Sequence, residues 1–153
     1  MSLKRSKGST PGFGSARAAA VRAIRTTAKE LSASSEWTID WDSTEYDYGD
    51  FWTSGDPTVF TVPADGIYHM QMAIGFEESF ASDQMLFKFF RDTTNIFWQE
   101  LDVYGGPWPA FNASAINEFS AGDEITARFT HNNTTGTVWV GTAFTWMTVT
   151  RVA

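Results

Sequence analysis

The feature that most restricts what this chain can fold into is an alternation of large apolar residues with polar or small ones at a period of two. Tyr68, Met70, Met72, Ile74 and Phe76 alternate with His69, Gln71, Ala73 and Gly75. That spacing puts five large side chains on one face of an extended strand. Ile125, Ala127 and Phe129 alternate in the same way with Glu124, Thr126, Arg128 and Thr130. Phe144, Trp146 and Thr148 alternate with Thr145, Met147 and Val149. Apolar groups on both sides of that last run predict a strand covered on both faces. A competing period appears once, from Ala18 to Leu31, where Val21, Ile24, Ala28 and Leu31 recur at a 3-4-3 spacing. The β-branched pair Thr26-Thr27 and the lack of a cap leave helix and strand both open there.

Turn chemistry separates the runs. Ser54-Gly55-Asp56-Pro57, Ala64-Asp65-Gly66, Gly105-Gly106-Pro107, Ala121-Gly122-Asp123 and Asn132-Asn133-Thr134-Thr135-Gly136 are the punctuation marks. Short strands of alternating polarity between such turns predict an all-β fold, an antiparallel sandwich of the jelly-roll kind. At 153 residues the chain is one domain's worth, and its 24 aromatic residues exclude a disordered or coiled-coil chain. It holds no cysteine, so disulfides, thiolate nucleophiles and zinc-thiolate sites are excluded.

Charge divides the chain. Seven of the eleven basic residues (Lys4, Arg5, Lys7, Arg17, Arg22, Arg25, Lys29) precede the first acid, Glu30. From Glu30 onward all eighteen carboxylates face four basic residues, a net charge of −14 against +7 for the first 29 residues. The division predicts a basic, extended Gly/Ser-rich arm over residues 1–17 and an acidic jelly-roll domain over 18–153. Phosphates would repel the body, so no nucleic-acid partner is expected, and an acidic protein surface is the arm's expected target. Gly8, Pro11, Gly12 and Gly14 interrupt any amphipathic presequence helix, and Ala18-Ala19-Ala20-Val21 is too short for a secretory apolar stretch. The uncharged segment from Phe129 to Thr150 is too rich in Thr, Asn and Gly for a bilayer span, so no membrane partner is expected.

Four stretches also carry a family resemblance. They are Trp41-Asp42-Ser43 with Tyr46-Asp47 and Gly49-Asp50-Phe51-Trp52, Phe60-Thr61-Val62-Pro63-Ala64-Asp65-Gly66-Ile67-Tyr68, Phe119-Ser120-Ala121-Gly122-Asp123-Glu124, and Phe144-Thr145-Trp146-Met147-Thr148-Val149. In order and spacing this chain resembles the globular head of complement component-one-q and its tumour-necrosis-factor-like relatives. The resemblance covers about residues 18–153. It implies a ten-stranded jelly roll assembled as a homotrimer, with Phe60, Pro63, Gly66, Tyr68, Gly122, Asp123, Phe144 and Trp146 as fold-signature or trimer-interface residues. The residues also make local sense. Pro63 cannot donate to a ladder and ends a strand, Asp65-Gly66 supplies a positive-φ turn, and Tyr68 opens the next strand. No collagen-like stalk precedes the domain, and in this the chain is similar to stand-alone copies of the fold on bacteriophage virions, which serve as capsid cement or as receptor-binding tips.

Catalysis finds little support in the residues. His69 and His131 lie 62 positions apart without an H-x-H pair, so a cupin-like metal site is not expected, and no nucleophile elbow is present. Asp40, Asp42, Asp47 and Asp50 cluster, and calcium is bound by some proteins of the resembled family, but the spacing fits no EF-hand loop and a solvated acidic surface is the expectation. No cofactor and no metal are expected. Asn112, Asn132 and Asn133 stand in sequons that matter only in a chain secreted by a eukaryote. Seven tryptophans exceed what a small core hides, so Trp98, Trp108 and Trp139 are candidates for contact surfaces.

These readings combine into one expectation: a non-enzymatic trimer on the outer surface of a bacteriophage capsid. Its arm would bind the major capsid protein through Lys4, Arg5, Lys7 and Arg17, with Phe13 as an apolar plug, and so cement the shell. The alternative is the receptor- or glycan-binding tip of a tail fibre, for which exposed tryptophans and the loop Gly105-Gly106-Pro107-Trp108-Pro109 would stack on sugar rings. A secreted ligand of the complement-head type is a weaker third reading.

Overall fold

In the computed structural model, which describes residues 19–32, 35–76, 83–103, 110–132, 138–141 and 144–153, each run of period-two alternation is a strand. In chain order the strands are β1 Ala20–Ile24, β2 Lys29–Leu31, β3 Glu36–Thr38, β4 Ser43–Tyr48, β5 Trp52–Thr53, β6 Asp56–Thr61 and β7 Gly66–Gly75. They continue with β8 Asp83–Arg91, β9 Thr94–Val103, β10 Ala110–Phe119, β11 Glu124–His131, β12 Val138–Val140 and β13 Trp146–Arg151. No helix occurs among the described residues, so the ambiguous segment after Ala18 is settled as strand. β1 lies between β13 and β4, and both of its edges are paired, which outweighs a weak helical spacing.

Two antiparallel sheets make the sandwich. One runs β10-β7-β13-β1-β4; the other runs β5-β6-β11-β8-β9, with β3 added on β11. Non-consecutive neighbours in both orders are the mark of a jelly roll. The two main paths hold ten strands, the number that the resemblance implies. A separate two-stranded ribbon joins β12 to β2.

The core forms where the inner faces meet. Val21 and Ala23 of β1, Tyr68, Met70, Met72 and Ile74 of β7, and Met147 and Val149 of β13 are wholly buried from one side. Met85, Phe87 and Phe89 of β8 and Ile125, Ala127 and Phe129 of β11 meet them from the other. Phe129 joins the layers, with ring centroids 5.3 Å from Phe87 and 5.7 Å from Phe76. The two-sided cover predicted for the last strand does not occur among the described residues. Thr145, Met147 and Val149 point inward, whereas Trp146 is half-buried and Phe144, just before β13, is 60% exposed.

Candidate functional site

The signature residues divide between one end of the sandwich and one of its faces. After β6 the backbone of Val62 accepts the Gly122 N–H at 2.8 Å and donates to the Asp123 carbonyl at 2.9 Å. Asp65 Oδ1 accepts the Ala121 N–H at 2.8 Å, and Asp123 Oδ2 closes its own turn on the Ser120 N–H at 2.9 Å. Tyr68 donates its hydroxyl to the Ala64 carbonyl at 2.6 Å while its ring meets Phe51 and Phe119 edge-on. Burial holds the Tyr68 phenol above its usual range, so it stays a donor. Phe60 is fully buried one strand away. These residues therefore hold the fold's end together, with Phe60 and Tyr68 buried and Pro63 and Gly122 exposed.

Gly66 has the expected positive φ, at 158°, and a Cβ there would also collide with the Ala153 carbonyl and the Arg151 guanidinium. Close approach of the C-terminal strand requires the glycine. Gly122, at φ 91°, also holds a positive-φ turn.

Three of the four clustered aspartates are spent on structure. Asp42 accepts the backbone N–H groups of Thr26 (2.6 Å) and Thr27 (3.0 Å), and Asp47 those of Phe51 and Trp52, both at 3.0 Å. Asp40 pairs with the buried Arg25 at 3.1 Å and accepts the Trp37 indole N–H at 2.7 Å. Its burial opposes ionisation, yet the indole bond and the guanidinium keep its carboxyl below the usual range. Solvated surface is thus the wrong description of Asp40, Asp42 and Asp47 and the right one for Asp50, which is exposed, and no group of three or more His, Asp or Glu that could hold a metal ion occurs among the described residues. Arg25 is the residue that sequence reasoning missed. It was counted only as one of seven basic residues ahead of Glu30, but it is 6% exposed and also lies 5.4 Å from the Trp37 ring. Arg22 likewise belongs to the body, paired with Glu45 at 2.9 Å.

Strand register shows what the outer face of the five-stranded sheet presents, because registered neighbours share a face. One row crosses all five strands: Ile116, His69, Thr150, Ala20 and Tyr48. The next row is Ser114, Gln71, Thr148, Arg22 and Tyr46. Ile116 is 67% and Tyr48 65% exposed, with Tyr48 stacked on Tyr46. Arg22 lies 4.6 Å over the Trp146 ring. With Ile67, Val152 and Phe144, this side of the molecule carries five of the six large apolar side chains left exposed among the described residues. They are spread over the face, with His69, Thr150 and Ala20 registered between Ile116 and Tyr48.

The sixth is Trp98, 62% exposed on the edge strand β9 of the other sheet. It faces Lys88 across the ladder. Beside it Glu36 ties β3 down by accepting from Lys88 and from Arg128 at 3.0 Å, and those cations, Lys88 foremost, lower its carboxyl. His69 is half-buried on the outer face of β7, whereas His131 is buried between the sheets, so the two histidines do not meet. Lys4, Arg5, Lys7, Phe13, Arg17, Asn133 and the loop at residues 105–109 with Trp108 lie outside the described residues, as does the Trp139 side chain.

The sheet order defines an antiparallel jelly roll. No family model matches the chain, and no curated protein sequence does. Among solved structures it is similar to murine APRIL at pH 5.0, with a TM-score of 0.63 at 10% identity over 89% of this chain and 100% of that one. It is similar also to the Eiger TNF of S. frugiperda, with a TM-score of 0.63 at 13% identity over 90% of this chain and 94% of that one.

Proposed function

We propose that this protein is a bacteriophage capsid decoration protein, a non-enzymatic homotrimer that sits on the outer surface of the shell and stabilises it through its N-terminal arm. The observation that carries the reading is the pairing of an exposed apolar sheet face with a charge division along the chain. Three-fold closure on the face around Ile116 and Tyr48 buries apolar surface without leaving an open edge. Once Arg22 and Arg25 are assigned to the body, the leader keeps Lys4, Arg5, Lys7 and Arg17 and no acid, which suits acidic grooves between copies of the major capsid protein. Three arms on one body turn weak contacts into durable ones through effective concentration.

Deleting residues 1–17 is the test. The truncated protein is expected to remain a folded trimer by native mass spectrometry and to lose binding to bare capsids in a sedimentation assay. Normal decoration by the truncated protein refutes the arm's role.

One observation favours a second reading, the receptor- or glycan-binding tip of a fibre: Trp98 offers a flat apolar ring beside Lys88 and Glu100. Adhesion of the purified protein to host cells, and not to capsids, would select that reading.

A further inference from the structure

The outer face of the second sheet carries an arrangement that neither the core nor the strand ladder needs. Register places Trp98 of β9 beside Lys88 of β8, and Lys88 beside Arg128 of β11. In the next rows Glu100 stands opposite Leu86, and Asp102 opposite Gln84. Phe87 and Phe89 are buried on the inner face, so the residues that alternate with them stand outside. Leu86 and Phe90, both half-buried, give the group an apolar floor.

The polar groups here are already held in place. Lys88 and Arg128 both donate to Glu36, and Arg128 lies 4.0 Å over the Phe90 ring. Gln84 donates to Glu100, and the Asn132 amide donates to Gln84 at 2.7 Å. Groups so fixed lose little freedom when a ligand joins them. Trp98 differs from its neighbours: at 62% exposed, it presents a flat apolar face to solvent. A pyranose has the complementary shape, with one face of C–H bonds that packs on an indole and a rim of hydroxyls that both donate and accept. Glu100 and Asp102 supply acceptors for such a rim, and Lys88 supplies a donor. Charge selects among sugars. Two cations, Lys88 and Arg128, stand against three carboxylates, Glu36, Glu100 and Asp102, and both cations are already bound to Glu36. A uronic or sialic acid, or the phosphates of a nucleic acid, would be repelled.

We propose that this face binds a neutral hexopyranose, stacked on Trp98 and hydrogen-bonded by Glu100 and Lys88. The assignment deepens the glycan reading of Trp98 and rests on it; it does not depend on the capsid reading. The site lies on the sheet opposite the one proposed to close the trimer, so subunits joined there leave it open.

The test titrates methyl β-glucoside, methyl β-galactoside, methyl N-acetyl-β-glucosaminide and glucuronic acid into the full-length protein and into Trp98→Ala. Binding is read from the indole N–H signals in proton–nitrogen NMR spectra, where the signal absent from Trp98→Ala identifies Trp98. At least one of the neutral sugars is expected to shift that signal, and glucuronic acid to shift it less. Trp98→Ala should bind the same sugar about five- to 150-fold more weakly, the range that removing a stacking ring produces.

A sugar that binds Trp98→Ala as well as the parent overturns the site and leaves the glycan reading standing. Failure of every neutral sugar to bind either protein overturns both. Tighter binding of glucuronic acid overturns the neutral class. A native mass that falls from several copies to one in Trp98→Ala makes the ring a subunit contact, and that too overturns the proposal.

Discussion

Tyr68 joins two jobs that are often separate: its ring sits between Phe51 and Phe119 in the core, and its hydroxyl closes the Ala64 turn. Tyr68→Phe keeps the packing and removes the bond, so a loss of about 1 kcal/mol is expected in chemical denaturation. Glu36, like Asp40, is a residue-scale source of acid sensitivity. Its carboxyl is lowered in the folded chain, chiefly by its bond from Lys88, so its contribution is fully present above the unfolded carboxylate range and is lost as pH falls through the folded value. Stability measured from pH 7 down to pH 3 should therefore fall less steeply for Glu36→Gln than for the parent chain. Parallel curves would show that the Lys88–Glu36–Arg128 contacts contribute nothing. Polar side chains such as Asp42 and Asp47 were visible as a cluster in the sequence. That each would be consumed by two backbone N–H groups was not visible, because capping depends on where the chain turns back.

At the scale of elements, β7 is the strand on which the rest depends. It is registered with β10 on one side and β13 on the other, and its inner face buries four large side chains. Met72→Ala at its centre should cost about 2–5 kcal/mol in a denaturant titration, by lost burial plus a cavity. A cost below about 1 kcal/mol would mean that the two layers collapse to refill the site. β7 and β11 were legible because strict alternation survives where one face is buried and the other wet. β8 was not singled out, since Leu86 and Phe90 stand on the face opposite Met85, Phe87 and Phe89 and blur the period. β10 was missed for the opposite reason: its inward Ala113 and Ala115 are too small to announce a core strand.

For the whole molecule, the decisive quantity is the apolar face of the five-stranded sheet. If that face closes a trimer, Ile116→Asp places a charge in the contact and should shift the native mass from three copies to one, with the β-sheet circular dichroism unchanged. A trimer that survives the substitution would move the interface elsewhere, Trp98 and the edge strand β9 being the next surface to test. The location of this face could not have been read from the chain. Ile116, Tyr48, Ile67 and Val152 come from four segments and come to share one face only through the strand order β10-β7-β13-β1-β4.

By itself the sequence determined the β class, the turns at Asp65-Gly66 and Gly122-Asp123, and the separation of a basic leader from an acidic body. Those are local properties, set by side-chain period, backbone freedom and residue charge. Only the tertiary structure decided that Arg25 belongs to the core, that the aspartates cap turns, that Gly66 makes room for Arg151 and Ala153, and that one sheet face keeps its apolar side chains uncovered. Each of these depends on which distant segments are brought into contact, and pairing between strands far apart in the chain leaves no periodic trace in either strand alone.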